Sequence, residues 1–525
     1  VTIVRVTRNL VSRGTGTFFK ILEDTISVAD SFSLSRILSR VLSSSVAATD
    51  SASATYVPGG GETFDFYISP SGSNSNDGLT TSTPWAITAL ATKSAIAGAR
   101  VGLMDGTYVL SDTSGKDPGN NDGIQYILYG GTDANNHTVI EAVNSQQAII
   151  TTNNGGSYPQ GSGAGQGSWP ALQIRTGVDH VTIRGIHFHQ FSFTALSVRG
   201  SDVLVEDCEI NDINHSRDAF YDPPDNCSGI NTGGNGSGLT IRNCKIHDVY
   251  KSGTTADTNQ GCIGPLYDYS DVTVENCTLY NSGHAIGPKH AFGKLLVLNN
   301  VIHSFQGYAI RSMTDEDSSA TPGGGSIHHN IFFDIPNLSG SDDPQADMLP
   351  RDTDFYNNVV VFNSGIGGST CGLMHYNGAS NTAGVTSSNR YYNNIFYLPS
   401  AVSVPASGFM LFFAGTNNRA QDRLSVCNWN CYGVSAAKFK MQDSPTGSGY
   451  TSYTTLPWSG GNFDANSVLD DPDFVNSAGT TAEDFQLQVG SPCIGAGKSN
   501  GTAGGSAVDI GAWGNSPPSS FGCDF

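Results

Sequence analysis

Charge is scarce and one-sided in this chain. Of 525 residues only 14% are Asp, Glu, Lys or Arg, and 46 acidic against 26 basic side chains leave a formal charge of −20 and a pI near 4.8. Such a surface repels nucleic-acid phosphates and acidic membrane headgroups, so neither is expected as a partner. Long apolar runs are missing as well, and no stretch approaches the ~20 residues needed to span a bilayer. Ten cysteines are too few for a disulfide scaffold in a chain of this size. The first twenty residues carry Arg5, Arg8 and Arg13 without the continuous apolar core of a signal peptide, so an export signal, if one is used, is expected to have been removed already.

What the chain does have is repetition. Eight copies of a short pattern end at positions 186, 208, 244, 277, 300, 330, 358 and 394, as in Val205-Glu206-Asp207-Cys208, Val274-Glu275-Asn276-Cys277 and Ile327-His328-His329-Asn330. The intervals are 22, 36, 33, 23, 30, 28 and 36, a repeat with a minimum and no fixed period. Helical repeats keep a set length, whereas a coil of short parallel strands tolerates insertions at its corners and cannot shrink below one circuit. Each copy is β-branched or aromatic with alternation of period two, ends in Asn or Cys, and resumes with an apolar run at Ile246, Leu279, Ile302 or Ile331. Asn suits a bend where its amide bonds to the same amide on neighbouring coils, and Cys is small enough to stack inside. The reading is an all-β parallel β-helix, one long solenoid in keeping with its 63 glycines.

Arg184, Glu206, Arg242 and Glu275 precede the ladder positions and should form an outward column of alternating sign, a device for register and solubility. Cys208, Cys244 and Cys277 read as reduced interior thiols. Cys227 and Cys262 are placed to meet on adjacent coils as a bridge, and Cys427-Asn-Trp-Asn-Cys431 reads as a loop disulfide in preference to a zinc site. Residues 1–60 are a different material, rich in Ser, Ala, Asp and Val with one apolar edge, and Pro58-Gly-Gly-Gly61 ends them like a hinge. The expected division is an attachment or assembly segment at 1–60, the β-helix at 61–400, and the last coils with a C-terminal cap at 401–525.

The repeat resembles the right-handed parallel β-helix of the pectate-lyase-like superfamily. Tyr67-Ile-Ser-Pro-Ser-Gly with Asp77-Gly78 and Pro84-Trp85, Asp105-Gly-Thr-Tyr108, Gly490-Ser-Pro-Cys493 and Asp509-Ile-Gly-Ala-Trp513 are similar to the flanks of such domains. The N-terminal segment resembles the Ser/Asp/Val stretches of bacteriophage tail and fibre proteins. That likeness implies docking and a homotrimer through residues 1–60.

Three chemistries are open on this scaffold. Ile263-Gly-Pro-Leu-Tyr267 and Ile286-Gly-Pro-Lys289-His290 align as repeats, and Arg311 follows one coil later. Lys289 and Arg311 should therefore project from neighbouring coils, with His284, His290, Tyr267, Tyr308 and Asn231 around them. In β-elimination of a uronic acid polymer, one cation neutralises the carboxylate and a Lys or Arg takes the acidified proton. The order of residues resembles the alginate and dermatan lyase branch, in which acidic residues before the Lys hold calcium; here Ser282-Gly-His-Ala-Ile-Gly287 supplies none. Asp317 and Asp347 are candidates for a hydrolase pair, but they lie in long polar stretches that read first as solvated acidic loops and next as a calcium site. Tyrosines at coil spacing, among them Tyr280, Tyr391 and Tyr392, offer either sugar-stacking faces or ordinary stacking between rungs. The combined expectation is an extracellular or virion-surface protein that recognises a polysaccharide or cell-surface glycan in the manner of a tail spike. A secreted lyase or hydrolase and a structural appendage subunit are the alternatives. No cofactor is required, no resident metal is assigned, and Ca2+ is admitted.

Overall fold

In a computed structural model of the chain, described residues fall within 63–110, 125–151, 170–213, 228–249, 261–310, 314–315, 324–362, 371–377, 389–399, 409–415, 424–433, 439–442, 450–457 and 463–512, with short gaps inside some stretches. Residues 1–60, His290, Arg311, Asp317 and Cys227 lie outside them.

Three long sheets run the length of the described solenoid, and the chain visits them in turn. The first begins at Phe66–Ile68 and ends at Leu424–Asn428, the second runs from Gly106–Val109 to Cys431–Gly433, and the third from Gln125–Ile127 to Phe439–Gln442 with one last antiparallel strand, Tyr450–Tyr453. Their other pairings are parallel and link each circuit to the next. In the first sheet Ile183 lies beside Val205, Val205 beside Ile241 and Ile241 beside Val274.

Local sequence explains each part of a circuit. Strands of the first sheet alternate buried and exposed positions, as in Ser270–Glu275, so Val272 and Val274 enter the core while Thr273 faces out. The turn into the second sheet needs one residue with positive φ. Gly185, Asp207, Asn243, Asn276, Asn299, His329, Asn357, Asn393 and Trp429 occupy it at φ 51 to 65°. Asn, Asp and Gly adopt this left-handed conformation most easily, which accounts for their prevalence there.

The next residue is the ladder itself. Ile186, Cys208, Cys244, Cys277, Asn300, Asn330, Asn358 and Asn394 are fully buried. Asn300 Nδ2 donates to Asn330 Oδ1 (2.9 Å), Asn330 to Asn358 (3.0 Å), Asn358 to Asn394 (3.1 Å) and Asn394 to Asn430 (3.1 Å). Each amide also donates to a first-sheet carbonyl, Val274, Val297, Ile327 and Phe355 in turn. The row ends on buried Asp464, which accepts from Asn430 Nδ2, Tyr432 Oη, Ser467 Oγ and Cys427 Sγ.

Two expectations change here. The charged column exists in the expected register but begins earlier, at Glu141, which Arg100 reaches from two positions off register, and two of its acids are covered: the Glu141 and Glu206 side chains are 4% and 5% exposed, while Glu275 is half-buried. Arg100 and Arg184 share Glu141, while Arg184 and Arg242 share Glu206. The guanidiniums of the neighbouring rungs cover each carboxylate, so loss of one partner strands a buried charge. Cys427 and Cys431 are free buried thiols, not a disulfide. They end one strand and open the next, with Cys427 turned to Asp464 and Cys431 to the carbonyl of Asp470. Cys262 is likewise a free thiol, donating to the carbonyl of Ile246.

Residues 463–512 return along the second sheet. Phe474, Phe485, Leu487, Cys493 and Ile510 form a second apolar cluster with Ile331, Val359, Ile395 and Tyr397. Asn393 ties the segment down, donating to Lys498 O and accepting from Lys498 N.

Replacing Asn330 tests the ladder. Asn330→Ala leaves the amide of Asn300 and the carbonyl of Val297 without their buried partners, and should cost about 3 kcal/mol or more of unfolding free energy in urea. Asn357→Ala, at the neighbouring turn, should cost less, about 1 kcal/mol for the strained φ.

Candidate functional site

On the third sheet the accounting of polar groups does not close. Tyr126 lies beside Gln173, Gln173 beside Ser197 and Ser197 beside Asn231, on four successive rungs. Gln173 Nε2 and Asn231 Oδ1 are buried with no hydrogen-bond partner among the described residues, as is Oε1 of Gln125 one position before Tyr126. Asn231 Nδ2 donates to Thr194 Oγ1 at 3.3 Å. Buried amide atoms are paired in the great majority of cases, so the two open ones that share a column, on Gln173 and Asn231, make this face a candidate for taking up other groups, whereas Gln125, beside Leu172, faces the core.

Cations gather at the end of the same strands. Ala171-Leu-Gln-Ile-Arg175 and Ala195-Leu-Ser-Val-Arg199 are copies of one motif, and Ile174 lies beside Val198. The row continues in register, since Arg199 N–H donates to Ile174 O and Gly233 N–H to Val198 O. Thr232 lies beside Leu266, and Tyr267 beside Lys289. Arg175, Arg199, Gly233, Tyr267 and Lys289 thus follow one another along one edge at rung spacing, ~4.8 Å. The Arg175 guanidinium stands 5.2 Å from the Tyr126 ring, and Arg199 is exposed where Gly233 leaves room for its side chain. Cations so arranged in an acidic protein can neutralise a row of carboxylates.

The other sequence candidates distribute unevenly. His284 is 2% exposed beside Gly261, at the opposite end of the strand His284–Lys289. Tyr308 opens the next strand and lies beside Asn337. Asp347 pairs with Thr314 in a short two-stranded antiparallel ladder separate from the three long sheets. The stretch Ser282 to Pro288 is buried and carries no carboxylate, so it supplies no acidic ligand for calcium. Arg175 and Arg199 escape a reading keyed to the Asn and Cys ladder; the shared Ala-Leu-x-(Ile/Val)-Arg pattern was their signal.

The aromatic column is resolved in favour of stacking between rungs. Tyr280 lies between His247 (4.5 Å, 5° between planes) and His303 (4.9 Å, 4°), and His303 stacks in turn on Phe333. Tyr356 stacks on Tyr392 at 4.9 Å, and Arg390 covers Tyr392. Both faces of Tyr280 are taken up within its stack.

Comparison with known proteins agrees with the strand topology. Residues 135–339 match the family model described as right handed beta helix region. The solenoid is a right-handed parallel β-helix. No curated protein matches the sequence. Similar solved structures include pectate lyase Pel9A (16% identity, TM-score 0.49, covering 86% of this chain and 96% of that one) and a rhamnogalacturonan lyase (14%, 0.44, 66% and 84%). A mannuronic acid specific family 6 lyase from human gut microbiota is also similar (12%, 0.31, 64% and 81%). At these identities and scores the likeness transfers neither an activity nor a residue role.

The stacked imidazoles make stability depend on pH. Burial pushes His303 and His328 down to about 4, so both stay neutral in the fold while the unfolded chain protonates near 6.5. A depressed folded pKa means stability that is complete above pH ~6.5 and lost as pH falls toward 4, up to about 3 kcal/mol for each ring. The urea midpoint should therefore drop between pH 7 and 4.5. His303→Phe, which keeps the stack and removes the proton site, should flatten part of that slope.

Proposed function

We propose that this protein recognises an acidic polysaccharide along the edge of its third sheet, with Arg175, Arg199 and Lys289 meeting carboxylates and Gln173, Asn231 and Tyr267 meeting hydroxyls. One observation carries the reading: a register-aligned row of cations beside two buried amide atoms, Gln173 Nε2 and Asn231 Oδ1, without a partner among the described residues, in a chain of net charge −20. The site suits a polymer, because its groups repeat from rung to rung where a small ligand would need a closed pocket.

A lyase is the second reading. It is favoured by the backbone register of Tyr267 beside Lys289 on the adjacent rung, two residue types that proton abstraction can use. The reading requires no cofactor, and calcium would be an addition at the acidic loops around 314–318 and 341–347. We further propose an extracellular or virion-surface location of the tail-spike or fibre type. Residues 1–60 would serve as an attachment segment that assembles a trimer, 61–400 as the recognition helix and 401–525 as its closing coils. The composition of the N-terminal sixty residues supports this part.

Binding of alginate, polygalacturonate and neutral dextran at two salt concentrations tests the proposal. The acidic polymers should bind and weaken with salt, dextran should not, and Arg199→Ala should lower affinity about tenfold. Equal binding of dextran, or no effect of Arg199→Ala with Lys289→Ala added, rejects it. Absorbance of unsaturated uronates that disappears in Lys289→Ala would move the assignment to a lyase. Light scattering should show a trimer for the full chain and a monomer for one starting at Gly61; a monomer in both cases rejects the assembly role.

A further inference from the structure

Ahead of each first-sheet strand lies another corner, and three consecutive rungs place ligating side chains there. His137 precedes Thr138–Ala142, His180 precedes Val181–Arg184 and Asp202 precedes Val203–Glu206, with Thr138 beside Val181 and Val181 beside Val203. His137 Nε2 is 3.1 Å and His180 Nδ1 2.7 Å from the same carboxylate oxygen, Asp202 Oδ2. All three donor atoms lie within 4.8 Å of one another, and each side chain is partly open to solvent. Among the described residues this is the one group of its kind.

We propose that these three side chains bind a divalent transition metal of the zinc class. Zinc takes His nitrogen and Asp oxygen at about 2.0–2.2 Å in a tetrahedron, which puts neighbouring ligand atoms about 3.3 Å apart. The two separations, 3.1 and 2.7 Å, are shorter than that edge by about 0.2 and 0.6 Å, so seating the ion asks for a small outward shift of His180 or Asp202. Two imidazoles and one carboxylate select such a metal over calcium, which takes oxygen. The supporting contacts are built as well. His137 Nδ1 lies 3.1 Å from Thr182 Oγ1, and a hydrogen bond there holds the ring with Nε2 turned to the centre. The backbone around His180 and Asp202 is pinned by His180 N–H to Ser201 O, Ser201 N–H to Asp179 Oδ1 and Asp202 N–H to Ser237 O. Three protein ligands leave a fourth position for water or a ligand oxygen. An open groove of about 400 Å3 lies alongside, lined in part by Asn136, His137 and Thr182. The metal would also staple three rungs together, adding stability in proportion to its occupancy.

The test is calorimetric titration of the chelator-treated full chain with Zn2+ and, separately, with Ca2+. One equivalent of Zn2+ in the micromolar range or tighter is expected, with no Ca2+ binding at this corner and a rise in thermal midpoint on zinc addition. His180→Asn and Asp202→Asn should each weaken Zn2+ about a hundredfold and abolish the rise. Positions 180 and 202 have φ of 58° and 52°, a conformation Asn adopts readily, so both variants keep the corner and their metal-free melting should match the parent. Thr182→Val, which touches no metal, should weaken zinc about tenfold. Zinc bound equally by parent and both Asn variants would place it elsewhere, for instance on cysteines, and overturn the proposal, as would no zinc binding by the parent.

Discussion

Parallel hydrogen bonding from one coil to the next is the constraint on which the rest of the molecule depends. Because each strand takes its register from the strand one circuit earlier, every position in a coil becomes a member of a column, and a residue is judged by what stands above and below it. The 22-residue minimum follows from this, as does the tolerance of longer circuits. A circuit may bulge at a corner only where it returns to the same register, and Val203 still meets Leu239 after the 36-residue circuit.

Columns settle energetic questions that single residues leave open. An isolated Glu206 would be a surface acid of little consequence, but with Arg184 and Arg242 on either side it becomes a covered ion triplet. An isolated Asn330 would be an expensive buried amide, but between Asn300 and Asn358 its hydrogen bonds run along the axis and to the first sheet. The switch from Cys at 208, 244 and 277 to Asn from 300 onward is continuous in the same sense, since Cys277 N–H already donates to Asn300 Oδ1. Asp464 ends the row as an acceptor only, able to receive from four donors where a further amide would need a next rung.

Much of the fold was legible because a column imposes one residue type on many coils at once. The eight ladder positions, the alternation of the first sheet and the Arg/Glu register could all be read from spacing. The same reading stumbled where a column was short or its logic lay in the fold. Asn430 continues the ladder but sits inside Cys427-Asn-Trp-Asn-Cys431, where two cysteines drew attention to a disulfide. The depth of Glu141 and Glu206 depends on how far neighbouring guanidiniums fold over them, which spacing does not encode. Of the candidate site, the pairing of Lys289 with the Tyr267 strand was legible from the Ile-Gly-Pro repeat, and Arg175 and Arg199 were not, since they belong to a two-copy motif. His137, His180 and Asp202 were hidden for a similar reason: the residue before a strand varies freely, and only register brings three of them together.

The distinction between structure and function in this molecule comes down to which columns are closed. The Asn row is closed at its end by Asp464, and Glu141 and Glu206 of the Arg/Glu row lie between guanidiniums. Tyr280 has both faces taken up within its stack. None of these needs anything from outside, and each is sufficiently explained by the stability it provides. In the third-sheet column Gln173 and Asn231 each keep one buried atom without a partner among the described residues, and the adjoining edge places cations beside them in an acidic protein. Leaving such groups open costs free energy that the fold does not recover internally. Open buried atoms also occur at Gln146, Ser282, Asn357 and Asn389, so openness alone does not mark a site; what sets the third sheet apart is that Gln173 and Asn231 share one column beside a row of cations, and that combination is what supports the proposed recognition of a polymer.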